Sequence, residues 1–139
     1  MTASDRLTEA LSVAPIVPVL TVSDASKAAS VASAFKRGGL TVLEITLRTD
    51  AAAEAIEEMK RAEPDMVIGA GTIRNTADLK TAMDAGSDFL VSPGLSPALI
   101  EAAKGTPVPL LPGIATPSEA MRAYEAGFET LKLFPAEIV

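Results

Sequence analysis

The sequence predicts an α/β fold, a (β/α)8 TIM barrel of which about the first six βα units stand in this chain. Three observations carry the prediction. Short β-branched runs alternate with alanine-rich stretches of helical period, ~20–25 residues apart, which makes a parallel sheet with right-handed crossovers. The strand runs are nearly all apolar, as strands covered on both faces are. Finally, Glu44, Thr46, Arg48, Gly69, Gly71 and Lys132 stand in or just beyond those runs. The buried faces of an open, doubly wound sheet would reject several of them, whereas a barrel has an interior and a C-terminal mouth to hold them.

Taken in order, a helical pattern over about Asp5–Val13 precedes the first strand run, Ile16–Leu20. A helix over about Ala25–Arg37 follows and stops near Gly39, since glycine tolerates the left-handed turn that ends helices. The second strand is Val42–Leu47 and the next helix covers about Ala51–Ala62. Strand Met66–Ala70, helix Ala77–Ala85 with Gly86 after it, and strand Phe89–Val91 continue the alternation. Ser96-Pro97 and Thr116-Pro117 each set an N-cap before a proline at the first helical position, so helices run over Pro97–Lys104 and Pro117–Glu125, ending at Gly105 and Gly127. Strands Val108–Leu111 and Thr130–Phe134 complete the series. No linker or low-complexity segment interrupts it, so residues 1–139 read as a single partial-barrel domain. A complete barrel usually needs at least ~200 residues. The expectation is a C-terminally truncated barrel, or one that closes with a partner chain. Left alone, its terminal strands would be exposed edges.

Composition excludes several functions. Hydrophobic residues make up 48% and charged residues 22%, the balance of a globular chain rather than a disordered one. Aromatics are only 4%, so the core must be built from Ala, Val, Leu and Ile. A net charge of −6 argues against nucleic acid and anionic membranes as partners, but not against a small anion held by local charge. The chain has no Cys and no His, which removes disulfides, thiolate or zinc centres and histidine-based triads. No metal and no cofactor is expected, and acid–base work falls to Glu, Asp, Lys or Tyr. Gly69-Ala70-Gly71 fails the spacing of a dinucleotide fingerprint. The polar start lacks a signal pattern and no apolar run could span a bilayer, so a soluble cytoplasmic protein is the expectation.

The chemistry concentrates on two strands. Lys132 stands inside the apolar run Leu131-Lys132-Leu133-Phe134-Pro135. A buried lysine must be paired or lose its charge, and losing the charge makes it a nucleophile. The plainer reading is a buried Lys132–Glu44 ion pair, although desolvation makes such pairs poor stabilisers. In Val42–Arg48, Glu44, Thr46 and Arg48 lie two apart and share one face of a strand. Glu44 can carry the protons that imine formation and C–C cleavage need, or serve only as a counter-ion. Arg48 at the mouth suits a substrate carboxylate, or pairs with Asp50 at the rim. Thr72, just after a strand, could donate to the same carboxylate.

These runs carry a resemblance. Val42-Leu43-Glu44-Ile45-Thr46-Leu47-Arg48-Thr49, Ile68-Gly69-Ala70-Gly71-Thr72, Val91-Ser92-Pro93-Gly94, Leu111-Pro112-Gly113 and Leu131-Lys132-Leu133-Phe134-Pro135-Ala136-Glu137 resemble successive strand motifs of the 2-keto-3-deoxy-6-phosphogluconate (KDPG) aldolases, in order and spacing, across essentially the whole chain. The resemblance implies a metal-free class I aldolase, usually a homotrimer, that cleaves KDPG to pyruvate and glyceraldehyde 3-phosphate. Relatives of this kind often also cleave 4-hydroxy-2-oxoglutarate to pyruvate and glyoxylate. It places the Schiff-base lysine on Lys132, the proton-transferring glutamate on Glu44, the pyruvate-carboxylate contacts on Arg48 and Thr72, and the lining of the pyruvate pocket on Pro93 and Phe134. The Thr46–Thr49 run favours the phosphogluconate over the phosphogalactonate branch. The family continues for two more βα units whose glycine-rich loops hold the substrate phosphate. A truncated copy with little or no KDPG cleavage is therefore expected. The alternatives are an inactive barrel fragment or scaffold, and a lyase that uses Lys132 without an imine.

Overall fold

The structure, a computed structural model, describes residues 2–138. Six parallel strands lie side by side in chain order, each joined to the next by a helical crossover. They are β1 (Val19–Leu20), β2 (Val42–Thr46), β3 (Val67–Gly71), β4 (Phe89–Ser92), β5 (Leu110–Ile114) and β6 (Lys132–Leu133). Helix α1 (Ala3–Ser12) precedes them, and α2 (Ala28–Arg37), α3 (Ala52–Ala62), α4 (Thr76–Asp84), α5 (Pro97–Lys104) and α6 (Pro117–Glu125) lie between successive strands. The sheet curls so that Val19 of β1 and Lys132 of β6 line one cavity, giving the expected open barrel.

Alternation along the strands sorts the core into two layers. Leu43, Ile45, Ile68, Ala70 and Leu90 face outward and are buried against Ala28, Ala32, Ile56, Met59 and Leu79 of the surrounding helices. Burying each Leu or Ile is worth about 1.5–3 kcal/mol. Alanine on the helices lets them approach the sheet closely, which is how a core so poor in aromatics fills. Val42, Phe89 and Val91 face inward and cluster with Leu7 and Ala14, so α1 covers the N-terminal end of the strands.

The caps form as read. The Ser96 hydroxyl accepts from the Leu99 N–H at 3.2 Å, and Thr116 and Glu119 make a reciprocal capping box. Gly39, Gly86 and Gly127 take positive φ values of 86°, 81° and 94°. Gly105 does not: it ends α5 at φ −92°.

Several boundaries differ from those expected. The regular pairing of β1 and β6 covers two residues each, because each has a neighbour on one side only. Pro15 and Pro18 also remove donors ahead of β1. In contrast, β5 runs on through Pro112 and Gly113, beyond the strand end expected at Leu111. Gly113 is compatible with the strand because its backbone meets the Pro93 carbonyl so closely that a Cβ would lie 2.4 Å from that oxygen. The helix expected over Ala25–Arg37 begins as a 3-10 turn at Ala25–Lys27, capped by Asp24.

Candidate active site

Strand β2 is paired on both sides, Glu44 standing between Val19 and Gly69, which fixes the height of its side chain in the barrel. Period-two alternation turns Glu44 and Thr46 inward, and Arg48 follows just beyond the strand. Both inward residues are buried, Glu44 at 5% exposure and Thr46 at 1%. The Thr46 hydroxyl lies 3.0 Å from that of Thr21 and donates to the Leu20 carbonyl at 3.2 Å, tying β2 to β1.

Lys132 enters from β6, where it pairs with Gly113. Its Nζ lies 3.8 Å from Glu44 Oε2, an ion-pair separation too long for a direct hydrogen bond. The same Nζ stands 5.1 Å from the centre of the Phe134 ring, within range of a cation–π attraction. Burial pushes the Glu44 carboxyl above its ordinary value of 4.5, and the positive charges of Lys132 and then Arg48 offset part of that rise. A carboxyl held above its ordinary value keeps its proton to higher pH than an exposed glutamate does.

At the mouth, Arg48 Nε donates to Thr72 Oγ1 at 3.2 Å. Thr72 is the only non-glycine residue among those described with a positive φ, at 62°. For a β-branched residue that conformation is strained, and strain of this kind concentrates at functional sites.

Glu44, Arg48, Thr72, Pro93, Lys132 and Phe134, the six residues singled out in the sequence, all border one cavity of about 430 Å³. Its wall sets two cationic side chains against one carboxyl, which favours a small anion. Val19, Val91 and Ser92 complete the lining and were not singled out. Val91 could have been found by counting two on from Phe89, but an apolar strand residue reads as ordinary core. Among the described residues, no three of His, Cys, Asp and Glu come together as a metal site would need.

The family model described as KDPG and KHG aldolase matches residues 7–139. The chain belongs to the KDPG and KHG aldolase family. It is 42% identical over 127 residues to the KHG/KDPG aldolase of Escherichia coli K12, an alignment covering 91% of this chain and 60% of that protein. It is 45% identical over 124 residues to the 2-dehydro-3-deoxy-phosphogluconate aldolase of Zymomonas mobilis, covering 89% of this chain and 59% of that one. The chain thus spans about 60% of the length of the curated relatives it matches. Among solved structures it resembles KDPG aldolase from Legionella pneumophila, in which pyruvate was captured at low pH as a covalent carbinolamine intermediate. There the TM-score is 0.91 at 33% identity, covering 99% of this chain and 65% of that one. The likeness in sequence and in structure agrees on the open six-stranded barrel as part of an aldolase fold.

Proposed function

We propose that this chain carries the pyruvate-handling part of a class I aldolase, an enzyme that cleaves 2-dehydro-3-deoxy-6-phosphogluconate to pyruvate and D-glyceraldehyde 3-phosphate, with 4-hydroxy-2-oxoglutarate as a second substrate giving pyruvate and glyoxylate. The observation that carries the proposal is the approach of Lys132 Nζ to within 3.8 Å of the buried Glu44 carboxyl, in a member of this family. The free amine of Lys132 adds to the ketone carbon of the substrate. Glu44 then gives its proton to the resulting carbinolamine hydroxyl, which leaves as water and creates the iminium. The ionised Glu44 takes the proton of the C4 hydroxyl, directly or through a water. The C3–C4 bond breaks, the aldehyde departs, and the bonding pair enters the iminium to form an enamine. Return of the proton to C3 and hydrolysis of the iminium release pyruvate and restore both groups.

Arg48 and Thr72 hold the substrate carboxylate in this scheme. A guanidinium and a hydroxyl already linked to each other present adjacent donors at the mouth. Pro93 and Phe134 border the keto acid in this scheme, and the Phe134 ring face accompanies the cationic nitrogen through the iminium stage. No cofactor takes part in the scheme. A homotrimer and a cytoplasmic setting complete the proposal, on the strength of family membership and of the bacterial aldolases among the relatives.

Pyruvate with borohydride tests the chemistry, because reduction traps an imine as a secondary amine. The expected result is a mass increase mapped to Lys132 and lost in Lys132→Ala. A folded protein that traps nothing would sink the Schiff-base mechanism. Pyruvate release from KDPG, followed in the same preparation, tests the full reaction.

A further inference from the structure

Beneath Glu44 lies a residue to which the chemistry assigns nothing. Phe89 opens β4 on the inward face and is 1% exposed. Across the sheet, Glu44 pairs with Gly69 and Gly69 pairs with Phe89, so the three form one row with a bare position in the middle. The far end of the Phe89 ring fills that position: a Cβ on Gly69 would lie 2.3 Å from the ring's Cζ. One step up the same strand, the Glu44 carboxyl fills the bare position of Gly71 in the same way.

A second cavity explains why the row matters. At the N-terminal end of the strands, about 570 Å³ of space is bordered by Arg6, Glu9, Asp88 and the buried Ser87, whose hydroxyl has no partner. Such a wall holds water. Phe89 borders this lower cavity, and Glu44 borders the upper one. The ring over Gly69 therefore stands between a wet space and the carboxyl.

We propose that Phe89 is a positioning residue of the aldolase site: its ring is the dry floor that keeps water in the lower cavity from reaching Glu44. Water admitted from below would solvate the carboxylate and weaken Glu44 as a proton donor. The ionisable side chains that face Glu44 are Lys132 from β6 and Arg48 beyond the end of β2. The inward residues of β3 and β4 next to it, Gly69, Gly71, Phe89 and Val91, cannot titrate. A change at Phe89 thus reaches Glu44 through solvation and not through a new charge. The placement is independent of the aldolase reading; only the consequence for catalysis rests on it.

The test follows the Glu44 side-chain carboxyl by NMR across a pH titration in the unchanged protein, in Phe89→Leu, which no longer reaches over Gly69, and in Gly69→Ala, which pushes the ring away. The expected result is a downward shift of the Glu44 midpoint in both variants, with circular dichroism unchanged. Folded variants whose midpoint stays at that of the parent would overturn the proposal. In the unchanged protein, nuclear Overhauser contacts from the Phe89 ring to Gly69 Hα and to the Glu44 methylenes are expected. Their absence overturns it whether or not the variants fold. Pyruvate trapping on the same samples separates the two readings. A midpoint that falls in a protein that traps no pyruvate leaves the floor in place and removes the aldolase.

Discussion

The Glu44 carboxyl lies in the space a side chain on Gly71 would need: a Cβ there would be 1.9 Å from Oε1. The acid is therefore placed by the missing side chain of the neighbouring strand as much as by its own backbone. Gly71→Ala must displace the carboxyl from its present place beside Lys132. We expect a loss of pyruvate trapping comparable to removing an acid–base group, about 10²–10⁴-fold. Gly94→Ala is the matched control, since a Cβ there meets nothing within 4 Å. Its stability should stay within about 0.5 kcal/mol of the parent. Trapping rates and urea midpoints on the two variants check both statements.

Thr72 separates strain from chemistry. Its φ of 62° suits glycine, and such strain costs on the order of 1–3 kcal/mol. Thr72→Gly and Thr72→Ala both delete the oxygen to which Arg48 donates, so both should bind pyruvate more weakly. Only the glycine variant relieves the backbone. Denaturant melts should find Thr72→Gly more stable than Thr72→Ala by about 1 kcal/mol, even after the entropy that glycine costs.

The Glu44 carboxyl also imposes a pH dependence on folding. Burial raises its folded value above the ordinary 4.5, so the folded state holds this proton more tightly than the unfolded chain does. The stability this group contributes is therefore greatest at and below pH 4.5 and declines as pH rises through the folded midpoint. Glu44→Gln cannot ionise. Its stability relative to the parent should improve from acid toward neutral pH, as measured by urea unfolding at a series of pH values. A difference that is flat across that range would contradict the raised value.

The Thr46–Thr21 hydroxyl pair binds the first strand to the second from inside the barrel. Thr46→Val keeps the shape and removes both hydrogen bonds of Thr46. We expect a loss of about 2 kcal/mol, two hydrogen bonds at ~1 kcal/mol net each. Faster amide exchange in β1 than in the parent would accompany it.

Much of the barrel and part of its site were legible without coordinates, for reasons that differ by residue. Glu44, Thr46 and Arg48 share a face because the period of a strand is two, and that survives any packing. Lys132 was conspicuous as a charge in an apolar run. The sequence suggests its pairing with Glu44 but not the route, because β2 and β6 are not neighbours in the sheet and meet only through its curvature. Pro93 and Phe134 came from family resemblance alone, since a proline and a phenylalanine beside a strand carry no chemical signature. Strand ends depart from expectation where pairing is one-sided, at β1 and β6, and at β5, which continues past Leu111 through Pro112 and Gly113. Gly105 resembles Gly39, Gly86 and Gly127 in sequence but ends its helix with a negative φ.

The acid and the amine sit on strands held with unequal grip. Glu44 belongs to a strand laddered to β3 over five residue pairs, whereas Lys132 belongs to one laddered to β5 over two. Partial opening should therefore begin at the amine and leave the acid in place. A brief detachment of Leu133 and its neighbours would carry Lys132 away from Glu44 while the rest of the sheet stayed folded. The proposed imine chemistry would then be lost by a fluctuation far smaller than unfolding, and a melting curve would not register it.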